Sequence, residues 1–237
     1  NKITEHTMLS GHILETKQRA INSQSKWLIA AQDTTFYNYH SQDIEGMGTI
    51  AGGIIGLAQH NVLLMSDTGL HLGLIHQQHW TRNGGQDFTQ GQKESYKWSL
   101  GLSAVNTLLG DIDKRIVCVQ DREADIFEFF KAERATNVDL LVRVCQPRKL
   151  EIVSNGQVQN LEETAKKIKT CGSLKTIIRE NNKDVELTLE IRAEQINVHP
   201  NKDLSPNKHK TQGLALVVAR EIERIDMKTQ ESIFEAS

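Results

Sequence analysis

"RIVCVQDREADIFEFF", residues 115–130, joins an apolar run to an acidic, helix-like one. The run "RIVCVQ" is short and rich in valine and isoleucine, which predicts a buried strand. "EADIFEFFKAERA" then reads as a helix packing through Ile126, Phe127 and Phe130. Asp121 stands at the junction. An aspartate there can cap the helix by accepting backbone N–H groups and place Glu123 near its positive end. It can equally hold a cation, and local sequence leaves the two roles open.

Working outward, "TMLSGHILETKQRAI" has helix-like apolar intervals at Met8, Leu9, Ile13 and Ile21, and "SKWLIAAQDTT" reads as a short buried strand ending at Asp33. Residues 38–53 are polar and glycine-rich, a loop. "LAQHNVLLMSDTGLHLGLIHQQHW" is two strand-like runs around "SDTG", which predicts a hairpin. After the polar "RNGGQDFTQGQ" comes a helix with Trp98, Leu102, Val105 and Leu109 on one face and Gly110 as its stop. "RIVCVQ" follows, then the acidic helix, then the strand "VDLLVRVC". A hairpin followed by strands that alternate with helices predicts an α/β fold with a mixed sheet and flanking helices. The ribonuclease-H-like fold has this order. Beyond Pro147 the runs "LKTIIRENNKDVELTLEIRAEQINV" and "GLALVVAREIERI" read as strands joined by polar turns, a mostly β region.

At 237 residues the chain can bury a core without disulfide or metal support. Cys118, Cys145 and Cys171 form no C-x-x-C pair, and Cys118 and Cys145 read as buried thiols in a reducing compartment. "GTIAGGIIGLA" is too short to span a bilayer, so the expected setting is cytoplasmic, without a membrane partner. Net charge is −2, yet from Arg143 to Lys183 nine Lys/Arg face four Glu, and "NKHK" at 207–210 adds a second basic patch. Such local basic surface attracts phosphate.

Asp33 alone reads first as a turn former. In a mixed sheet of this order, however, the first strand and the strand after the long helix lie side by side. Asp33 and Asp121 then end near each other. Paired carboxylates repel unless a cation lies between them, and their oxygens suit Mg²⁺ or Mn²⁺. Two such ions about 4 Å apart serve phosphoryl transfer, and a further acidic ligand is needed. His40, His60, His71, His76 and His79 crowd the hairpin, but His71 and His76 are five apart, on opposite strand faces, with no thiol beside them, which disfavours zinc. Trp80 and Trp98 read as packing residues, although Trp80 opens a loop that could touch DNA.

The segments "AQDTTFYNYH", "GLIHQQHWTR", "KESYKW", "VQDREADIFEF" and "LLVRVCQPRK" together resemble the IS4-type DDE transposases, in particular the Tn5 transposase subgroup. The match is densest over residues 27–150. The resemblance implies a ribonuclease-H-like core interrupted by a mainly β insertion: a helical lead-in at 1–26, the core's first five strands at 27–145 and the insertion at 146–237. It implies that Asp33 and Asp121 are the first two metal-binding, catalytic carboxylates, with Mg²⁺ or Mn²⁺ as cofactor, two ions in the complete enzyme. It also implies that Arg143, Arg148 and Lys149 face DNA.

By the same resemblance, the partners are double-stranded transposon ends and target DNA, engaged as a homodimer in a bacterial, nucleoid-associated setting. The family's third carboxylate lies in Y-x-x-R-x-x-x-E-x-x-x-x-x-x-K. Tyr37, Tyr39 and Tyr96 all precede Asp121, and Glu221, Glu223, Glu231 and Glu235 lack the flanking Tyr and Arg. The expectation is therefore a fragment without the catalytic glutamate, monomeric in solution, weak in metal binding and poor in strand transfer. Two other readings stay open: a ribonuclease-H-like nuclease or resolvase, and a degenerate or domesticated transposase acting only as a DNA-binding or interaction module.

Overall fold

Leu28, Ala30 and Gln32 are the buried residues of the first strand, β1 (Trp27–Asn38), in a computed structural model that describes residues 5–39, 44–50, 54–81, 95–199 and 212–232. His40, the polar loop at 82–92, Glu94, the basic patch at 207–210 and Glu235 lie outside the described residues. Alternation places every second side chain on one face of a strand. The same period buries alternate residues of β3 (Ile55–Ser66) and of β5 (Arg115–Gln120).

One sheet holds these strands, with β2 (Gly48–Thr49), β4 (His71–Trp80) and β6 (Val138–Val142). β1 pairs antiparallel with β3, and β3 with β4 across the predicted hairpin turn, while β5 pairs parallel with both β1 and β6. The order across the sheet is β4-β3-β1-β5-β6, with the short β2 also on β3. The fold is therefore α/β with a mixed sheet, antiparallel on one side of β1 and parallel on the other, as in a ribonuclease-H-like sheet.

α1 (Glu5–Asn22) lies against β4, and α2 (Tyr96–Leu109) crosses β4, β3 and β1. Trp98, Leu102, Val105 and Leu109 of α2 join Leu28, Val62, Leu64, Ile116 and Cys118 in the core. Full burial of one such aliphatic side chain contributes about 1.5–3 kcal/mol. Gly101 lets α2 approach closely, since a Cβ there would stand 2.3 Å from Gln32 Oε1 and 2.9 Å from a Val62 methyl. Gly110 does end α2, but with right-handed angles (φ −66°) rather than a left-handed cap. Its missing side chain makes room for Ala135, whose Cβ would lie 2.9 Å from an added Cβ.

Four local expectations are corrected. β1 does not end at Asp33 but runs to Asn38, because β3 pairs with it along that whole length. The single helix expected after Asp121 is a 3-10 turn at Arg122–Ala124 followed by the four-residue α3 (Phe127–Phe130). The break lies at Asp125 and at Ile126, the latter extended (φ −120°, ψ 127°); Asp125 is buried and its Oδ2 accepts the Cys145 N–H at 2.8 Å. Arg143 lies one residue past β6 rather than on it. Cys145, beyond the sheet, is exposed rather than buried.

The chain divides into two units, Asn1–Cys145 and Gln146–Ser237. The second is mostly β: β7 (Lys149–Ile152), β8 (Val158–Asn160), β9 (Thr170–Glu180), β10 (Lys183–Val198) and β11 (Gln212–Asp226), with one short helix, α4 (Leu161–Lys167), that the sequence reading lacked. β10 is central, flanked by β11 on one side and by β9 and β7 on the other. β9 and β10 join through Asn181 and Asn182, both left-handed (φ 50° and 61°), the two-residue hairpin geometry that matches strand twist. Among the described residues, no helix is long and apolar enough to cross a membrane.

Candidate functional site

The inward-facing residues of the central strands change character along the sheet. At the start of β1 the neighbours in register are Leu28 and Ile116, then Ala30 and Cys118, then Gln32 and Gln120. The last pair are buried amides. Parallel pairing with β5 stops there, and the next residue on each strand is Asp33 or Asp121, both exposed. Neighbouring strands lie about 4.8 Å apart. The two carboxylates thus leave adjacent strands at the same level. Arg143 is at the same level on the far side of β5, because its N–H donates to the Gln120 carbonyl at 3.1 Å and Gln120 is the register partner of Val142.

Asp121 also caps the turn that follows it. Its backbone is extended (ψ −174°) and its Oδ1 accepts the Glu123 N–H at 2.8 Å. A carboxylate has two oxygens and about four lone-pair positions. Capping through one oxygen therefore leaves ligand capacity, so capping does not occupy the whole carboxylate. Across β1, Asp33 is opposite Asn61, whose Oδ1 accepts from Gln77 at 2.8 Å and from Gln59 at 2.9 Å. A polar row so leads from β4 over β3 to Asp33.

Behind the edge lies a buried polar group that motif reading missed. His60 is fully buried between Thr34 and Gln32, with its ring edge-on to Trp98 at 4.8 Å between centroids. Nε2 meets Gln32 Oε1 at 3.3 Å, an acceptor, so Nε2 carries the proton and Nδ1 accepts from the Thr34 hydroxyl at 3.0 Å. Burial, followed by the charges of Lys97 and His76, pushes its pKa down to about 3, so the ring is neutral. Burial likewise raises the Cys118 thiol to about 12, which makes it an inert core residue.

Lys97 is buried on α2, and its Nζ donates to Glu123 Oε2 at 2.9 Å while lying 5.1 Å from the Trp98 ring centre and 5.7 Å from that of Trp80. Gln32 Nε2, both amide atoms of Gln120, His76 Nε2 and Trp80 Nε1 are buried without hydrogen-bond partners. Buried polar atoms are nearly always paired, so this cluster is where the fold departs from an ordinary core.

Of the remaining predicted residues, Arg148 is half-buried and Lys149 is exposed at the start of β7; both belong to the second unit. Glu221 is paired with Arg224, and Glu223 accepts from the Thr188 hydroxyl, so both serve strands β10 and β11. The donors at the edge are carboxylate oxygens, the chemistry of Mg²⁺ or Mn²⁺ rather than zinc. Among the described residues no group of three or more His, Cys, Asp or Glu is placed to hold a metal ion. The two aspartates fit a hard cation in kind, and two carboxylates alone would be only part of such a shell.

No family model matches the chain. Among solved structures, the chain is similar to Ciona intestinalis endonuclease V, determined in complex with a 24mer DNA containing an inosine followed by a ribo-adenosine. The identity is 11% and the TM-score 0.26, over 91% of this chain and 83% of that one.

Proposed function

We propose that this chain carries the catalytic core of a DDE transposase, a metal-dependent enzyme that cleaves DNA strands and transfers them. The carrying observation is the register of β1 against β5, which sets Asp33 beside Asp121 at the end of the parallel pairing. The series of motifs running from "QDTT" to "PRK" supports the narrower family reading.

In this reading Asp33 and Asp121 hold a divalent ion. When bound, that ion supplies positive charge to the attacking and leaving oxygens of a phosphodiester. Arg143 steadies a DNA phosphate at the same level of the sheet. Water attacks phosphorus, the 3′-oxygen leaves, and a 3′-hydroxyl and a 5′-phosphate result. The 3′-hydroxyl then attacks the opposite strand to close a hairpin and, later, target DNA. Each displacement breaks one P–O bond and forms another, so no covalent protein intermediate is needed. Arg148 and Lys149 bind the DNA backbone.

The test is a titration of Mn²⁺ into the chain with duplex DNA present. Wild type binds, and D33N and D121N lose most of that affinity; equal affinity in all three overturns the reading. In a gene product that extends through a Tyr–Arg–Glu helix, joining of a labelled 3′-hydroxyl end into a second duplex marks a transposase. Nicking without joining leaves only a nuclease.

A further inference from the structure

Lys97 and Glu123 approach the carboxylate edge from different elements. Lys97 comes from the first turn of α2, and its side chain is 5% exposed. Glu123 sits in the 3-10 turn and is 57% exposed. The turn is short, anchored inward by the buried Ala124 and at its end by Cys145, whose N–H donates to Asp125 Oδ2 and whose Sγ donates to the Arg122 carbonyl. The Ala124 N–H donates to the Asp121 carbonyl, the Asp125 N–H to the Arg122 carbonyl, and the Glu123 N–H to Asp121 Oδ1.

A three-residue turn has little stiffness of its own. Among the described residues its ion pair to α2 is Lys97–Glu123, 2.9 Å long. On the core side, the Lys97 ammonium lies 5.7 Å from the Trp80 ring centre and 5.1 Å from that of Trp98. The lysine is an anchor with little freedom, and the glutamate is the handle by which it grips the turn.

We propose that the Lys97–Glu123 ion pair orients the Asp121 carboxylate for a divalent cation, making Lys97 a positioning residue for the edge. Glu123 N–H and Glu123 Oε2 belong to one residue: the first is bonded to Asp121, the second to Lys97. Without the Lys97 contact the backbone of the turn, and with it the N–H that holds Asp121 Oδ1, is less restrained. Glu123 therefore joins the Lys97 contact to the Asp121 carboxylate directly, beside the contacts that Cys145 and Ala124 make to the same turn. This inference rests on the reading of Asp33 and Asp121 as metal ligands.

Charge alone and positioning give opposite signs, which makes the test sharp. Mn²⁺ affinity is measured in wild type, E123Q, K97M, the double variant K97M/E123Q, K97R and D121N, with chemical unfolding of each as a fold control. If the pair acted only through its charges, removing the cation in K97M would strengthen Mn²⁺ binding and removing the anion in E123Q would weaken it. Positioning predicts that both weaken it, by about tenfold, the scale seen for groups that orient metal ligands. It also predicts that the double variant is no worse than either single one and that K97R recovers part of the loss.

Stronger binding in K97M, or wild-type affinity in E123Q when D121N has lost it, overturns the proposal and leaves the carboxylate reading intact. Glu123 is half-exposed, so E123Q reports even where K97M fails to fold. Amide exchange at Glu123 gives a metal-free readout. Exchange at least tenfold faster in E123Q supports positioning, and an unchanged rate overturns it. If neither aspartate affects Mn²⁺ binding, the underlying reading has failed, and amide exchange still decides whether the pair orders the turn.

Discussion

Gln32 and Gln120 are register partners on parallel strands, both buried, and each directly precedes an exposed aspartate. Alternation turns that single pairing into a two-sided device. The amides face the core beneath α2, and the next residue faces solvent, Asp33 within β1 and Asp121 just past β5. Slipping β5 by one residue against β1 would expose an amide and bury a carboxylate, which burial opposes.

Asp33→Asn and Asp121→Asn are expected to abolish most divalent-cation affinity without unfolding the chain, because both side chains are exposed. Calorimetric titration of Mn²⁺ with circular dichroism as control checks this. Asp121→Asn retains a capping oxygen, so its unfolding midpoint is expected to stay near wild type.

Arg143→Ala is expected to weaken duplex DNA binding about equally for all sequences, and to lower the slope of log affinity against log salt by about 1. Fluorescence anisotropy across a salt series reads both. A sequence-dependent loss would place Arg143 on bases instead of phosphate.

Gly101→Ala adds helix propensity worth about 1 kcal/mol, but its methyl meets Gln32 and Val62 at distances no Cβ tolerates. Overpacking costs about 1–3 kcal/mol. Net destabilisation is expected in urea unfolding, together with a disturbed His60–Gln32 contact.

His60 links stability to acid. Its folded pKa, about 3, lies below the ordinary 6.5, so below pH 6.5 the unfolded chain takes up a proton that the folded one refuses. Stability contributed by the neutral ring is complete above about pH 6.5 and is lost as pH falls towards 3, at up to about 1.4 kcal/mol per pH unit. Thr34, Gln32, Lys97, His76 and Trp98 surround the ring or act on it, and none supplies an anion to stabilise a charged imidazole. His60→Gln is expected to flatten this part of the profile. An unchanged slope between pH 6 and 4 contradicts the assignment.

Asn182→Gly is expected to stabilise the β9–β10 hairpin by a few tenths of a kcal/mol, up to about 1, since glycine adopts the left-handed conformation of Asn182 without strain. Thermal unfolding of the second unit measures it.

What could be read in advance was whatever local pattern decides. "SDTG" between two apolar runs marked the β3–β4 turn, and the spacing of Trp98, Leu102, Val105 and Leu109 marked the buried face of α2. Element order was enough for the mixed sheet. The rest depends on distant partners. The acidic helix was broken at a position where Asp125 bonds to Cys145, twenty residues away. Lys97, in a segment that reads as a plain helix start, is buried because Trp80 arrives from the hairpin. His60 looked like one histidine among five, and only the register that brings Thr34 and Gln32 to it sets it apart.

The parallel pairing of β1 with β5 also has a kinetic side. The β3–β4 hairpin joins neighbours in the chain and can form early, whereas β1 meets β5 only after the hairpin, the 82–92 segment and α2 have been gathered between them. Closing so long a loop is entropically costly and comes late. Asp33 and Asp121 are therefore strangers until the sheet is nearly finished. A cation that needs both, as proposed above, would report completed folding, and partly folded chains would be blind to it.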